Sequence, residues 1–120
     1  MNSDTRYAVA YIAARLVVGA NAAAVYDYAS GEWISISGNV AWGNVSVYDF
    51  KRRTHVSGSG VSGRLSLYDF GRAGHIQLNV TGAAFDGYDF ITGRHYNGTV
   101  NGRAISLYDF GEGKYFTYSI

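Results

Sequence analysis

Five aspartates, three histidines and one short basic run carry most of the reactive groups in this sequence. Asp27, Asp49, Asp69, Asp89 and Asp109 are more than half of the nine acidic residues. Paired carboxylates perform general acid–base chemistry when they stand roughly 5–10 Å apart. His55, His75 and His95 would be metal ligands if they clustered. Lys51-Arg52-Arg53 puts three cations in one place, enough to hold a phosphate or an acidic partner. The Asp and His, however, belong to a pattern that repeats, whereas catalysis needs one singular place, and the basic run, which occurs once, lies in a turn. The sequence has no Cys, so it offers no thiol nucleophile or thiolate metal site. No single Ser, His and Asp set stands out for a triad, and no glycine-rich stretch opens a helix as a phosphate loop does. We therefore expect no catalytic residue, no metal and no cofactor.

The pattern is the tripeptide Tyr-Asp-Phe/Tyr. It occurs at Tyr26-Asp27-Tyr28, Tyr48-Asp49-Phe50, Tyr68-Asp69-Phe70, Tyr88-Asp89-Phe90 and Tyr108-Asp109-Phe110. Seven residues after each Tyr stands Trp33, His55, His75, His95 or Tyr115. From about residue 23 onward the chain is one unit of about 20 residues copied five times.

Each unit contains two turn signals. Asp opens the first, where its carboxylate can accept backbone N–H groups two or three residues on. Gly31, Gly93 and Gly113 close it and supply positive φ. The five Asp are read as structural turn caps. The second signal is Asn101-Gly102, with Thr81-Gly82 one copy earlier, a strong hairpin marker. With four residues looped out after each Asp, Tyr108 faces Tyr115, Leu107 faces Phe116, Leu67 faces Ile76 and Val47 faces Val56. Pairing across Asn101-Gly102 sets Leu107 opposite Tyr96. Both turns assign the same residues to the same face, which a one-residue slip would scramble.

The prediction is mainly β: an N-terminal helix, then an antiparallel meander of about ten short strands, five hairpin repeats in a single domain over 1–120, curled into a barrel. One face carries Ile34, Ile36, Val45, Val47, Val56, Leu65, Leu67, Ile76, Leu78, Val80, Phe85, Ile105, Leu107 and Phe116. The other carries Ser46, Ser66, Gln77, Asn79, Asp86, Asn97, Thr99, Ser106 and Thr117. On that polar face each Tyr stands across from its Trp, His or Tyr partner. The alternative is a parallel β-solenoid with a helical cap. A solenoid would stack the five Asp about 4.8 Å apart, and that repulsion, with Asn101-Gly102, favours the meander. In a meander the three His lie about 10 Å apart, two strand spacings, too far to share an ion.

The tyrosine–aspartate spacing resembles the YD (Rhs) repeats, which build large shells from strand pairs. That motif reads Tyr-x-Tyr-Asp-x-x-Gly-Arg. Here Leu67 or Leu107 replaces its first Tyr, and Gly93-Arg94 comes one residue late. The resemblance implies strand pairs and no function.

The segment Ala8 to Ala24 is apolar enough to raise a secretory signal, but Arg15 interrupts it and Asp4 offsets Arg6. A helix over residues 5–18 is the better reading, capped by Ser3 or Asp4 and stopped at Gly19. Val9, Ile12 and Leu16 form one stripe that would plug or cap the apolar interior. Tyr7, Tyr11 and Val18 are left on the opposite side, either on the surface or meeting another chain or folding under a loop. The compartment is not readable, with cytoplasmic favoured over secreted.

The chain has 120 residues, 48% hydrophobic and 16% charged, with 16 Gly, 11 Tyr, six Phe and a net charge of +1. The aromatic content excludes a disordered chain, and the absence of a positive field argues against nucleic acid. Nor is a membrane partner expected. A non-catalytic module acting in binding or self-assembly through a repeated Tyr/His/Trp face fits best. Its candidate ligand residues are Tyr48, His55, Tyr68, His75, Tyr88, His95 and Trp33. Self-assembly would make a homo-oligomer through Tyr7, Tyr11 and the sheet edges. A carbohydrate-binding module, with a glycan or small ligand stacked on the aromatic–His pairs, is the first alternative. A small enzyme with a ligand site in the barrel mouth is the second. It requires one copy to differ, and Asp86 does, standing where sister copies have Ser46, Ser66 and Ser106. Lys51-Arg52-Arg53 is read as a solvated turn.

Overall fold

The computed structural model describes all 120 residues. Helix α1 (Ser3–Val18) precedes ten strands: β1 (Ala24–Asp27), β2 (Glu32–Ala41), β3 (Asn44–Asp49), β4 (Thr54–Val61), β5 (Arg64–Asp69), β6 (Gly74–Thr81), β7 (Ala84–Asp89), β8 (Arg94–Asn101), β9 (Ala104–Asp109) and β10 (Lys114–Ser119). Every neighbouring pair is antiparallel. The sheet closes where β1 pairs with β10 through Tyr26↔Ser119 and Asp27↔Tyr118. The antiparallel pairing rules out the parallel solenoid.

Period-two alternation produces this barrel. All the residues assigned above to the apolar face are buried, while the polar-face residues from Ser46 to Thr117 are exposed or half-buried. The hairpins around the Asp turns have the expected register, with Tyr108↔Tyr115, Leu67↔Ile76 and Val47↔Val56 paired. Across the other turn the register is displaced by two residues. Leu107 pairs with Gly98 and Tyr96 with Asp109, so Gly102-Arg103, not Asn101-Gly102, forms the loop. Gly102 has φ 59°, matching a type II′ turn, which wants Gly at its first central position. A shift of two preserves the inside–outside alternation, so the faces survive the correction.

The helix plugs the apolar interior, as expected of the Val9, Ile12 and Leu16 stripe, but it has no second face left over: it runs through the bore. Every residue from Thr5 to Leu16 is buried. Side chains alone fill a barrel of about eight strands; ten leave room for a helix, provided it is slim. Ala8, Ala10, Ala13 and Ala14 keep it so, and all four lie in the 29-residue core. Sixteen residues at about 1.5 Å each nearly span a molecule measuring 30 × 30 × 28 Å. Tyr7 and Tyr11, expected on the surface or against another chain or loop, are 3% and 0% exposed. Tyr11 donates to the Ala22 carbonyl at 2.5 Å. The predicted two-sided helix was an artefact of treating aromatic hydroxyls and Arg as surface markers. Inside a closed barrel Arg6, Tyr7 and Arg15 find partners on distant strands, and Tyr11 finds one in the loop that follows the helix. The helix starts at Ser3 with Asn2 as N-cap, and no side chain caps it.

Candidate functional site

The five Asp turns all lie at one end of the barrel, and α1 presents its N-terminus to the same end. Asp49, Asp69, Asp89 and Asp109 are fully buried and Asp27 is 6% exposed. Inward-facing residues alternate with outward ones, so each Asp points into the bore while the Tyr before it points out. The Oδ1 atom of each carboxylate accepts the backbone N–H two residues on, from Ala29, Lys51, Gly71, Ile91 or Gly111, at 2.9–3.0 Å. On three of them Oδ2 meets the helix: Asp49 accepts from the Tyr7 hydroxyl at 2.6 Å, Asp69 from Thr5 Oγ1 at 3.0 Å, and Asp109 from Arg6 Nη1 at 2.9 Å. Asp109 also accepts from the Met1 amino group at 3.1 Å. The positive end of the helix dipole thus faces a ring of carboxylates, the favourable orientation.

Arg52 completes this ring. Its Nε donates to Asp49 at 2.7 Å and its Nη1 to Asp69 at 2.9 Å. The side chain is only 12% exposed, so the reading of Lys51-Arg52-Arg53 as a fully solvated turn is corrected at its central residue. Burial pulls the Arg52 pKa down, but its hydrogen bonds to the Asp49 and Asp69 carboxylates outweigh it and hold the guanidinium charged. Burial likewise pushes Asp109 up, and its bonds to the amino terminus and Arg6 overcome that and leave it below the ordinary value. Burial and the Asp49 bond both push the Tyr7 hydroxyl well above its usual range. Asp49, Asp69 and Asp109 each hold a turn amide with one oxygen and the helix with the other, which suits them to fixing the helix in the bore.

Outside the same rim the aromatic residues form a collar. Tyr48, Tyr68 and Tyr88 pair across the strands with His55, His75 and His95, their ring centroids 4.7–4.8 Å apart and edge-on. Tyr26–Trp33 at 5.2 Å and Tyr108–Tyr115 at 4.8 Å complete the circuit. The sequence reading overlooked a third ring in each cluster. Tyr28, Phe50, Phe70, Phe90 and Phe110 pack edge-on against their own Tyr at 4.7–4.9 Å and are more than half exposed. The Tyr-Asp-Phe spacing itself carried that signal, because residues i and i+2 of a strand share a face. Cross-strand pairs contribute roughly 0.2–1 kcal/mol each, enough to hold the Tyr rings but not to explain the exposed Phe. The three His belong to separate clusters, and no group of three or more His, Asp or Glu is placed to hold a metal ion.

The bore offers no space for a ligand, since α1 fills it. The hollows lie on the outer wall. Two adjoining ones, of about 430 and 400 Å³, share Asn79, Asp86 and Asn97. On the inner face of these strands, in the fourth copy, Gly87 pairs with Tyr96 and Phe85 with Gly98. A Cβ on Gly87 would stand 2.5 Å from the Tyr96 hydroxyl, and one on Gly98 2.4 Å from Phe85. Both glycines let an aromatic ring lie against bare backbone.

No protein-family model, no curated protein and no solved structure matches this chain.

Proposed function

We propose that this chain is a non-catalytic binding module whose working surface is the aromatic collar. One observation carries the reading: five clusters of exposed rings encircle one rim, each with its Tyr held edge-on between two neighbours. Exposed aromatic area of this extent marks a recognition surface. The neighbouring outer wall is lined with hydroxyl and amide side chains. Flat rings beside such groups suit saccharides, whose apolar ring faces stack while their hydroxyls hydrogen-bond. Five similar clusters would turn weak single contacts into avidity for a repetitive glycan.

A second reading is assembly of copies through the same collar, favoured by the purely apolar, exposed Phe50, Phe70, Phe90 and Phe110. Its other proposed contacts are gone, because the barrel has no free sheet edge and Tyr7 and Tyr11 are buried. A ligand site in the barrel mouth, the enzymatic alternative, would have to displace the helix.

The test is an array of neutral and acidic glycans probed with the wild-type chain and with the Tyr48→Ala/Tyr68→Ala double variant, alongside light scattering of both. Binding of a long, repetitive glycan that the double variant weakens supports the saccharide reading. Concentration-dependent assembly lost in the variant supports the second. A monomer with no glycan bound removes both.

A further inference from the structure

The five copies are not equivalent, and the place where they diverge is also where the wall is hollow. The structure assigns a single neutral-oligosaccharide site to the outer face of β6–β9, centred on Asp86. This rests on the saccharide reading of the exterior but names one place on it, away from the Tyr48 and Tyr68 clusters.

Register aligns Asn79, Asp86, Asn97 and Tyr108 in one row across four strands. Gln77 Nε2 donates to Asn79 Oδ1 at 3.0 Å, and Asn79 Nδ2 donates to Asp86 Oδ1 at 3.0 Å. This relay orients the carboxylate and leaves Asp86 Oδ2 with no partner in the chain. At the matching positions of sister copies Ser46, Ser66 and Ser106 stand instead, so no other copy can present a carboxylate there. The Asn97 amide lies across the strand from Asp86 and makes no hydrogen bond within the chain. Phe110 lines the larger hollow and Tyr115 the smaller, which places a ring beside each. Each volume falls inside the range of ligand clefts, roughly 300–1,000 Å³.

The chemistry selects the ligand. A carboxylate accepts two hydrogen bonds from vicinal hydroxyls, and charge-assisted bonds of this kind are about twice as strong as neutral ones. The amides of Asn79 and Asn97 can both donate and accept, as sugar hydroxyls do. The rings bounding the hollows offer stacking faces. An acidic sugar would place a second carboxylate against Asp86, so neutral sugars are preferred over uronates.

The test uses the whole chain with cellotriose, xylotriose, mannotriose and N-acetylchitotriose, and trigalacturonate as the acidic control. Saturation-transfer NMR detects binding and calorimetry measures it. The variant Asp86→Ser installs the sister-copy residue on an exposed strand position, so the fold is expected to survive, with circular dichroism and thermal melting as the check. At least one neutral trisaccharide, too short to bridge the collar clusters, is expected to bind, with a loss of tenfold or more in Asp86→Ser and little change in Tyr48→Ala/Tyr68→Ala, whose effect falls on long repetitive glycans that need several clusters at once. Asn97→Ala should also weaken it. If the collar double variant loses binding and Asp86→Ser does not, the site is wrong while the collar reading stands. Preference for trigalacturonate, or no transfer from any neutral sugar at millimolar concentration, overturns the inference.

Discussion

The Tyr7 hydroxyl donates to Asp49 Oδ2 at 2.6 Å while Asp49 Oδ1 accepts the Lys51 amide at 3.0 Å, so one carboxylate ties the central helix to a hairpin turn. Asp69 and Asp109 repeat the arrangement with Thr5 and Arg6. Asp49→Ala is expected to cost about 3 kcal/mol or more, because it leaves Arg52 and the Tyr7 hydroxyl buried with a partner missing. Tyr7→Phe, which spares the turn and the Arg52 bond, should cost about 1–2 kcal/mol. Urea unfolding of both variants checks the order; equal losses would contradict the two-sided role.

Arg52 and Arg53 are neighbours in sequence with different fates. Arg52 bridges Asp49 and Asp69, and Arg52→Ala should destabilise by about 3 kcal/mol by stranding buried carboxylates. Arg53 is exposed and makes no ion pair, so removing its charge by Arg53→Gln should change stability by no more than about 0.5 kcal/mol. Comparable melting temperatures for the two variants would show that the Arg52 bridge is not formed in solution.

The last residue of each Asp turn adopts a left-handed conformation. Gly31, Gly93 and Gly113 do so freely, but Arg53 and Ala73 hold φ of 56° and 54°, at roughly 1–2 kcal/mol each. Ala73→Gly should therefore stabilise the protein, by about 0.5–1 kcal/mol after the greater entropy of the unfolded chain is subtracted. A fall in the denaturant midpoint would mean that this turn is relaxed in solution.

Stability should fall at both pH extremes. Asp109 and Asp4 have lowered pKa values: burial raises each, but the amino terminus and Arg6 at Asp109, and Arg72 and Arg52 at Asp4, outweigh it. Their contribution is complete above the unfolded carboxylate value of about 3.9 and is lost as pH falls through the lower folded values. Tyr7 and Tyr118 are raised, chiefly by burial. Their contribution is complete below about pH 10, the ordinary Tyr value, and is lost as pH rises beyond it. Thermal melting against pH should show a plateau between these limits, and Asp109→Asn should flatten the acid side. Stability that climbs above pH 10 would contradict the burial of the two hydroxyls.

What could be read from the sequence was what repeats. Period-two alternation and the 20-residue spacing identified the inward-facing residues and the Asp-turn register from adjacent residues alone. The helix was harder because its partners are remote: Tyr7 meets Asp49, and Arg6 meets Asp109 and Tyr118, none of them near in sequence. Arg6 and Arg15 look like surface residues until a ring of carboxylates and free carbonyls is built around them. The same holds for Arg52, whose burial depends on Asp69 of the next copy. At the outer wall, Asp86 was visible as a departure from its copies. The hollows beside it were not, because residues of four strands and the rings of Phe110 and Tyr115 bound them together.

The central claim is that ligands meet the outside of the barrel at its aromatic rim and wall, while the helix only fills the bore. Amide chemical-shift mapping by NMR, with the neutral trisaccharides titrated into labelled protein, tests it most directly. Shifts confined to outward-facing residues around Asp86, Asn97, His95 and Phe110, with Ala8 to Ala14 unmoved, are the predicted result. Shifts concentrated in the helix, or none with any saccharide, would contradict it.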